Sequence, residues 1–204
     1  MPERKRRLGV LGGSFNPIHH AHLFTAQEAA AALHLDQVLL IPAAQSPFKR
    51  RAEVSSADRL AMTRLAAARN PLLRVSSVDV DRPPPSYTVD TLALLQDAHP
   101  GAQLHLILGI DALQDFLEWR EPARLLDLAR LLVVARPGHK LQVPAEVQRQ
   151  LGKRAKRITL HDMPLLEVSS TEIRRRLKRG RPVRYLLPDA VERYIRDRGL
   201  YGAK

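Results

Sequence analysis

The sequence predicts an α/β protein built on a doubly wound, mainly parallel sheet, and three observations carry that expectation. Short apolar runs alternate with helical patterns along the whole chain. Most of the runs end in a glycine or proline turn. And 45% of the 204 residues are hydrophobic, enough apolar side chain for one sizeable core rather than two. Strands separated by helices join as βαβ units, which sets helices on both faces of a parallel sheet.

Taken in order, residues 8–11 read as the first strand, leading into Gly12-Gly13, and residues 22–33 as a helix. Residues 38–41 form a second strand that ends at Pro42. A helix begins at Ser56-Ala57-Asp58-Arg59 and runs to about residue 69, with Ser55 or Ser56 as its N-cap. Residues 73–80 alternate as a strand does, and Arg82-Pro83-Pro84-Pro85 stops it. Residues 88–98 make the next helix, capped by Ser86 or Thr88, and 104–108 a buried strand. Two short helical pieces, 112–119 and 122–128, precede a strand at 131–135 that Arg136-Pro137-Gly138 closes. A helix at 145–151, a short strand at 158–160 and helices near 171–178 and 188–198 complete the chain. There is no internal repeat. Residues 1–204 are expected to form a single domain with a small helical C-terminal part over about 165–204.

Composition narrows the class of function. No cysteine is present, so no disulfide framework forms, which suits a reducing cytoplasm. The basic N-terminus, Met1-Pro2-Glu3-Arg4-Lys5-Arg6-Arg7, leads into an apolar run too short for a secretory signal. No apolar run approaches the length of a membrane span, and a soluble, cytoplasmic protein with no membrane partner is expected. The formal net charge of +12 attracts anions, whether nucleic acid, acidic lipid or nucleotide. Basic clusters at 4–7, 153–157 and 174–184 lack interleaved aromatics, and only 4% of residues are aromatic. Base stacking is therefore poorly supported, and charge alone gives nonspecific attraction. A basic nucleic-acid-binding protein is the rival reading from outside the enzymes, although no specific nucleic acid is expected as a partner.

The stretch Gly12-Gly13-Ser14-Phe15-Asn16-Pro17-Ile18-His19-His20-Ala21-His22 carries the most information. A strand feeds a glycine turn, then histidines, then a helix start. Glycines let main-chain N–H groups approach an anion, and the helix N-terminus adds unpaired donors and a positive dipole end. His19 and His22 stand at the mouth, able to donate to phosphate oxygens. The competing reading is ordinary turn chemistry with local caps. Zinc on His19, His20 and His22 is weaker, since no cysteine and no acidic residue of the segment completes a ligand set.

Four further constellations follow. Ser169-Ser170-Thr171-Glu172-Ile173-Arg174 opens a helix with hydroxyls, free N–H groups and a guanidinium one turn along, a set that suits a phosphate tail or simply caps a helix. Ser86-Tyr87-Thr88-Val89-Asp90-Thr91-Leu92 reads by itself as a helix start. Leu106-Ile107-Leu108-Gly109-Ile110-Asp111 puts a glycine and a carboxylate at a strand end, where a ribose is hydrogen-bonded in many α/β sheets. Trp119, the single tryptophan, is either a core side chain or a ring platform. Lys49, after Ser46-Pro47-Phe48, is by default a solvated loop lysine. The segments 12–22, 42–49, 109–111 and 136–138 all follow predicted strands and are expected along one sheet edge.

The first stretch resembles the phosphate-binding signature G-x-F-D/N-P-x-H-x-G-H of the nucleotidyltransferase superfamily. Ala21 stands where that pattern has glycine and adds a methyl group near the phosphate path. With S-Y-T-x-D-T-L at 86–92, the aspartate, tryptophan and R-P-G block, and S-S-T-x-I-R at 169–174, the chain is similar to nicotinate-nucleotide adenylyltransferases from residue 8 to about 174. Asp79 replaces a usual glutamate, Arg82 matches a basic position, and Phe48 replaces a frequent histidine.

The resemblance implies a Rossmann-like nucleotidyltransferase fold and adenylyl transfer from ATP to nicotinate mononucleotide, giving deamido-NAD and pyrophosphate. It implies His19 and His22 as catalytic residues and Gly12, Gly13, Ser14, Phe15, Gly109, Asp111, Ser170, Thr171 and Arg174 as the ATP and phosphate site. It implies Lys49, Tyr87, Thr88, Trp119 and Arg136 as contacts to the mononucleotide, with the Trp119 ring on the nicotinate. No carboxylate cluster forms a metal cage, so Mg²⁺ is expected to arrive with ATP. An adenylyltransferase for nicotinamide mononucleotide or another phosphate acceptor is the alternative, and a homo-oligomer is left open.

Overall fold

The computed structural model describes residues 4–48, 52–135, 142–164 and 166–203. Six strands form one sheet in the order β3-β2-β1-β4-β5-β6: β1 Arg7–Gly13, β2 Gln37–Pro42, β3 Leu73–Val75, β4 Gln103–Gly109, β5 Ala129–Ala135 and β6 Ile158–Asp162. The pairs β1–β4, β4–β5 and β5–β6 are all parallel. The helices are α1 His20–Leu33, α2 Ser56–Ala67, α3 Thr88–Ala98, α4 Ile110–Gln114, α5 Pro122–Leu128, α6 Ala145–Leu151, α7 Ser170–Lys178 and α8 Asp189–Asp197. Helices lie on both sides of the sheet, the doubly wound arrangement expected from the alternating pattern. Among the described residues no helix is long and apolar enough to cross a membrane.

The chain divides into two compact units. The first comprises Met1–Leu11, Thr25–Leu39 and Tyr87–Leu165. Its centre is a run of buried strand residues, Leu104, Leu106, Ile107 and Leu108 on β4 and Leu131, Leu132 and Val133 on β5. Strands buried on both faces read as continuous apolar runs, which is why both were legible from sequence. Gly9 of β1 has a packing reason. A Cβ there would stand 2.8 Å from Leu35 Cδ1, 3.0 Å from Val38 Cγ2 and 3.1 Å from Ile107 Cδ1. Gly9→Ala is expected to lower unfolding stability by about 1–3 kcal/mol through overpacking, read by urea titration. An unchanged midpoint would show that the site has room.

One polar side chain sits inside this apolar layer. His105 is buried on β4, in register with Gly9 of β1 and Arg130 of β5. Its Nε2 lies 3.1 Å from Gln103 Oε1. Burial, then the charges of Arg7 and Arg130, push its pKa down to about 4, so the ring is neutral at pH 7.

The second unit comprises Gly12–Phe24, Leu40–Ser86 and Leu166–Lys204. Here α2 packs against α8, and the Tyr194 hydroxyl donates to Asp58 Oδ1 at 2.8 Å. Ser55 caps α2 as expected, accepting from the Asp58 N–H at 3.0 Å. The Ser55 hydroxyl hydrogen bond, more than that of Tyr194, holds the Asp58 carboxyl below the usual carboxylate range.

Three local expectations are corrected. The strand read at 73–80 survives only as Leu73–Val75. Beyond it, Ser76 Oγ accepts from the Val78 N–H and the Ser77 hydroxyl donates to Asp81 Oδ2, so short polar side chains offer the backbone a turn instead of a ladder. The cap of α3 is Tyr87, whose side chain makes no capping hydrogen bond; Ser86 Oγ instead accepts from the Ala44 N–H at 3.0 Å. The helical piece at 112–119 is split into α4 and a 3-10 turn, Phe116–Glu118.

Candidate active site

β1 runs out at Gly13, and Ser14 and Phe15 turn the chain toward α1. Phe15 is buried and takes left-handed backbone, φ 43°. Its ring lies 3.0–3.3 Å from where a Gly13 Cβ would stand, so a side chain at that position would crowd the ring. Gly12 is exposed, with open space on its Cβ side.

His19 is buried just before α1, and His22 lies in the first turn. The two rings stack with centroids 3.7 Å apart and planes 23° from parallel. Phe15 meets His22 edge-on at 5.0 Å and 79°. The His19 N–H donates to His22 Nδ1 at 3.3 Å, and the His22 N–H donates back to the His19 carbonyl at 3.0 Å. A main-chain donor on Nδ1 makes that nitrogen the acceptor and leaves the proton of the neutral ring on Nε2. His19 is neutral. Burial, then the His20 charge, pushes its pKa down to about 4, and its Nδ1 is buried with no partner among the described residues. Ala21 is half-buried between them.

The start of α7 is joined directly to this turn. Ser169 caps the helix, its Oγ accepting from the Glu172 N–H at 3.2 Å. The Ser170 hydroxyl donates to the Pro17 carbonyl at 2.8 Å. Arg174 Nη1 donates to the Asn16 carbonyl at 2.7 Å and Nη2 to Thr171 Oγ1 at 3.3 Å. A guanidinium carries five N–H donors, so Arg174 keeps others beyond these two. Thr171 itself is exposed.

Two more anchors come from parts of the chain with no motif. The Tyr201 hydroxyl donates to Asn16 Oδ1 at 2.6 Å, and burial pushes its pKa up. The Leu186 carbonyl accepts the His20 N–H at 3.1 Å. Neither was legible from sequence, since a lone tyrosine and a lone carbonyl gain meaning only from what they meet. In the same unit Asp79 and Arg82 pair at 2.8 Å, both largely buried.

Gly109, Asp111, Trp119, Tyr87 and Thr88 belong to the first unit. Gly109 ends β4 in extended backbone, and Asp111 is exposed in the first turn of α4. Trp119 is half-buried, its ring centroid 5.8 Å from that of Phe116 at 45°, so one side rests on the core. Tyr87 and Thr88 stand at the start of α3, half-buried. The Arg120 guanidinium lies 4.8 Å from the Tyr87 ring centroid and 3.5 Å from Asp90 Oδ2, a neighbour that sequence reasoning did not single out. Lys49 and Arg136 lie outside the described residues. Among the described residues no group of three His, Cys, Asp or Glu side chains is placed to hold a metal ion.

The cytidylyltransferase-like family model matches residues 10–176. A probable nicotinate-nucleotide adenylyltransferase of Roseiflexus sp. (strain RS-1) is 49% identical over 95% of this chain and 97% of its own length. One of Saccharopolyspora erythraea is 44% identical over 97% and 91%. Among solved structures, the Plasmodium falciparum nicotinic acid mononucleotide adenylyltransferase complexed with NaAD superimposes with a TM-score of 0.76 over 98% of both chains. At 19% identity that likeness speaks to the fold alone. Both the matched motifs and the near full-length identity lead to one assignment: the chain belongs to the cytidylyltransferase-like family and, within it, to the nicotinate-nucleotide adenylyltransferases, enzymes that transfer AMP from ATP to nicotinate mononucleotide in NAD biosynthesis.

Proposed function

We propose that this chain joins the AMP moiety of ATP to the 5′-phosphate of nicotinate mononucleotide, releasing pyrophosphate and giving deamido-NAD. One observation carries the assignment of residues. The helix that opens at Ser170 is hydrogen-bonded, through Ser170 and Arg174, to the turn that leads into His19 and His22, so two motifs far apart in sequence form one cluster. The attacking phosphate is ionised at neutral pH, so no strong general base is required. The barrier lies in aligning two polyanions and accommodating charge that shifts to the leaving group.

In this reading His19, as a neutral imidazole, and His22 donate to the transferring α-phosphate. The Gly12–Phe15 main chain receives the polyphosphate, and Ser170, Thr171 and Arg174 hold the leaving pyrophosphate. Gly109 and Asp111 bind the adenosine ribose, and Lys49, Tyr87, Thr88, Trp119 and Arg136 bind the mononucleotide. Enzymes of this kind generally use a divalent metal with ATP, and we take it to be Mg²⁺ delivered with the nucleotide. Lack of cysteine suits a reducing cytoplasm, where we place the reaction.

Pyrophosphate release from ATP and Mg²⁺ with either mononucleotide tests the reading. Nicotinate mononucleotide is expected to be the better acceptor, because its carboxylate is favoured by main-chain N–H donors and by the +12 formal charge of the chain. Equal kcat/KM for acid and amide would remove the specificity claim, and no release with either would remove the function.

A further inference from the structure

Arg59 reads in sequence as one of many basic residues on a helix, yet it is the largest of the fully buried side chains, 2% exposed. Its guanidinium does not pair with a carboxylate among the described residues. Nη1 donates to the carbonyls of Ser14 and Ala43 and Nη2 to that of Ala44, each at 2.7 Å. Nε is buried with no partner among the described residues. All three acceptors are neutral, so a full positive charge is held under the signature turn facing carbonyl dipoles. Such an arrangement is costly in isolation, and an apolar side chain of similar volume would hold a helix in place at lower cost.

What the guanidinium holds is specific. The Ser14 carbonyl is turned inward onto Nη1, and the Gly13 carbonyl is turned to the same segment, where it accepts the Ala43 N–H at 2.9 Å. In a trans peptide the N–H points opposite to the carbonyl before it. The N–H groups of Ser14 and Phe15 are therefore turned away from Arg59 and the Ala43 strand end, and among the described residues neither donates to a main-chain carbonyl. The left-handed backbone of Phe15 follows directly. Successive N–H groups flanking such a residue form a concavity that receives anions.

We propose that Arg59 is a positioning residue for adenylyl transfer: it holds the Ser14 and Ala43 carbonyls inward, keeps the Ser14 and Phe15 N–H groups presented to polyphosphate, and adds a charge that the anion itself neutralises. This rests on the function proposed above, and its test separates the two. Arg59→Lys keeps the charge and loses the fork that reaches three carbonyls; Arg59→Met loses both. Each is compared with the unaltered chain for kcat, for KM of nicotinate mononucleotide, for affinity toward inorganic pyrophosphate by calorimetry, and for melting temperature.

In Arg59→Lys, kcat is expected to fall about tenfold or more and pyrophosphate affinity about tenfold, while KM for the mononucleotide changes less than about twofold. Arg59→Met is expected to lose pyrophosphate binding further. A folded Arg59→Lys with unchanged kcat and unchanged pyrophosphate affinity, whatever its melting temperature, overturns the proposal and leaves Arg59 as packing. Failure of the unaltered chain to bind pyrophosphate overturns it too. If pyrophosphate binds and weakens on substitution but no transfer occurs, the anion-positioning role stands and the proposed reaction falls.

Discussion

Replacing His22 by alanine lowers kcat for adenylyl transfer by about a hundredfold or more, the loss usual when one donor to a developing oxyanion is removed. The geometry says why the imidazole is fit for this role. Its Nδ1 accepts the His19 N–H at 3.3 Å, so in the neutral ring the proton sits on Nε2 and that nitrogen donates. The ring is stacked on His19 at 3.7 Å and braced edge-on by Phe15 at 5.0 Å, so its donor is oriented before substrate arrives and little reorganisation accompanies transfer. A donor used mainly in the transition state affects kcat more than KM. Steady-state kinetics of His22→Ala and His22→Asn check this, asparagine retaining a donor of different reach. Near-normal kcat in the alanine variant would take His22 out of the chemistry.

Acidification provides the second large effect. His19 and His105 both have pKa values of about 4 in the folded chain, lowered mainly by burial, against about 6.5 when unfolded. Between those values the unfolded chain binds more protons than the folded one. Stability therefore falls as the pH drops from about 6.5 toward 4, and these two groups contribute nothing further below or above that window. Each shift is worth about 3 kcal/mol at the acid end, and together they approach the whole stability of a typical domain.

The carboxylates with lowered pKa values, Asp36, Asp58, Asp127 and Glu172, act in the same direction but lose their contribution below the ordinary carboxylate range. The histidine window precedes theirs. Urea unfolding at pH 7.5, 5.5 and 4.5 measures the slope, and His105→Leu, which keeps the site apolar, is expected to remove about half of it. An unaltered slope in that variant would locate the proton uptake elsewhere.

Elements that bury a continuous apolar face were legible in the sequence. β4, β5, α3 and α6 match their expected positions to within two residues, because burial on both sheet faces or along one helix face leaves a periodic trace. The segment after β3 misled for a matching reason. Its alternation of apolar and polar residues is compatible with a strand, but Ser76 and Ser77 satisfy the backbone locally, and no periodicity records that competition. The expected cap of α3 failed likewise, since the Ser86 hydroxyl is engaged by Ala44, a residue remote in sequence.

The sequence by itself determined the fold class, the strand-to-helix turn at Gly12–His22 and the family, since all three are written in local order and spacing. Tertiary structure alone decided how the phosphate turn is held. Arg59, Tyr201 and the Leu186 carbonyl reach it from 45 to 185 residues away, and Ser170 and Arg174 bond to its carbonyls as well as opening a helix. A hydrogen bond depends on two groups meeting in space, and only one of them is recorded at any position in a sequence. The burial that leaves Arg59 charged among carbonyls and His19 neutral is likewise a property of what surrounds them, which no motif spells out.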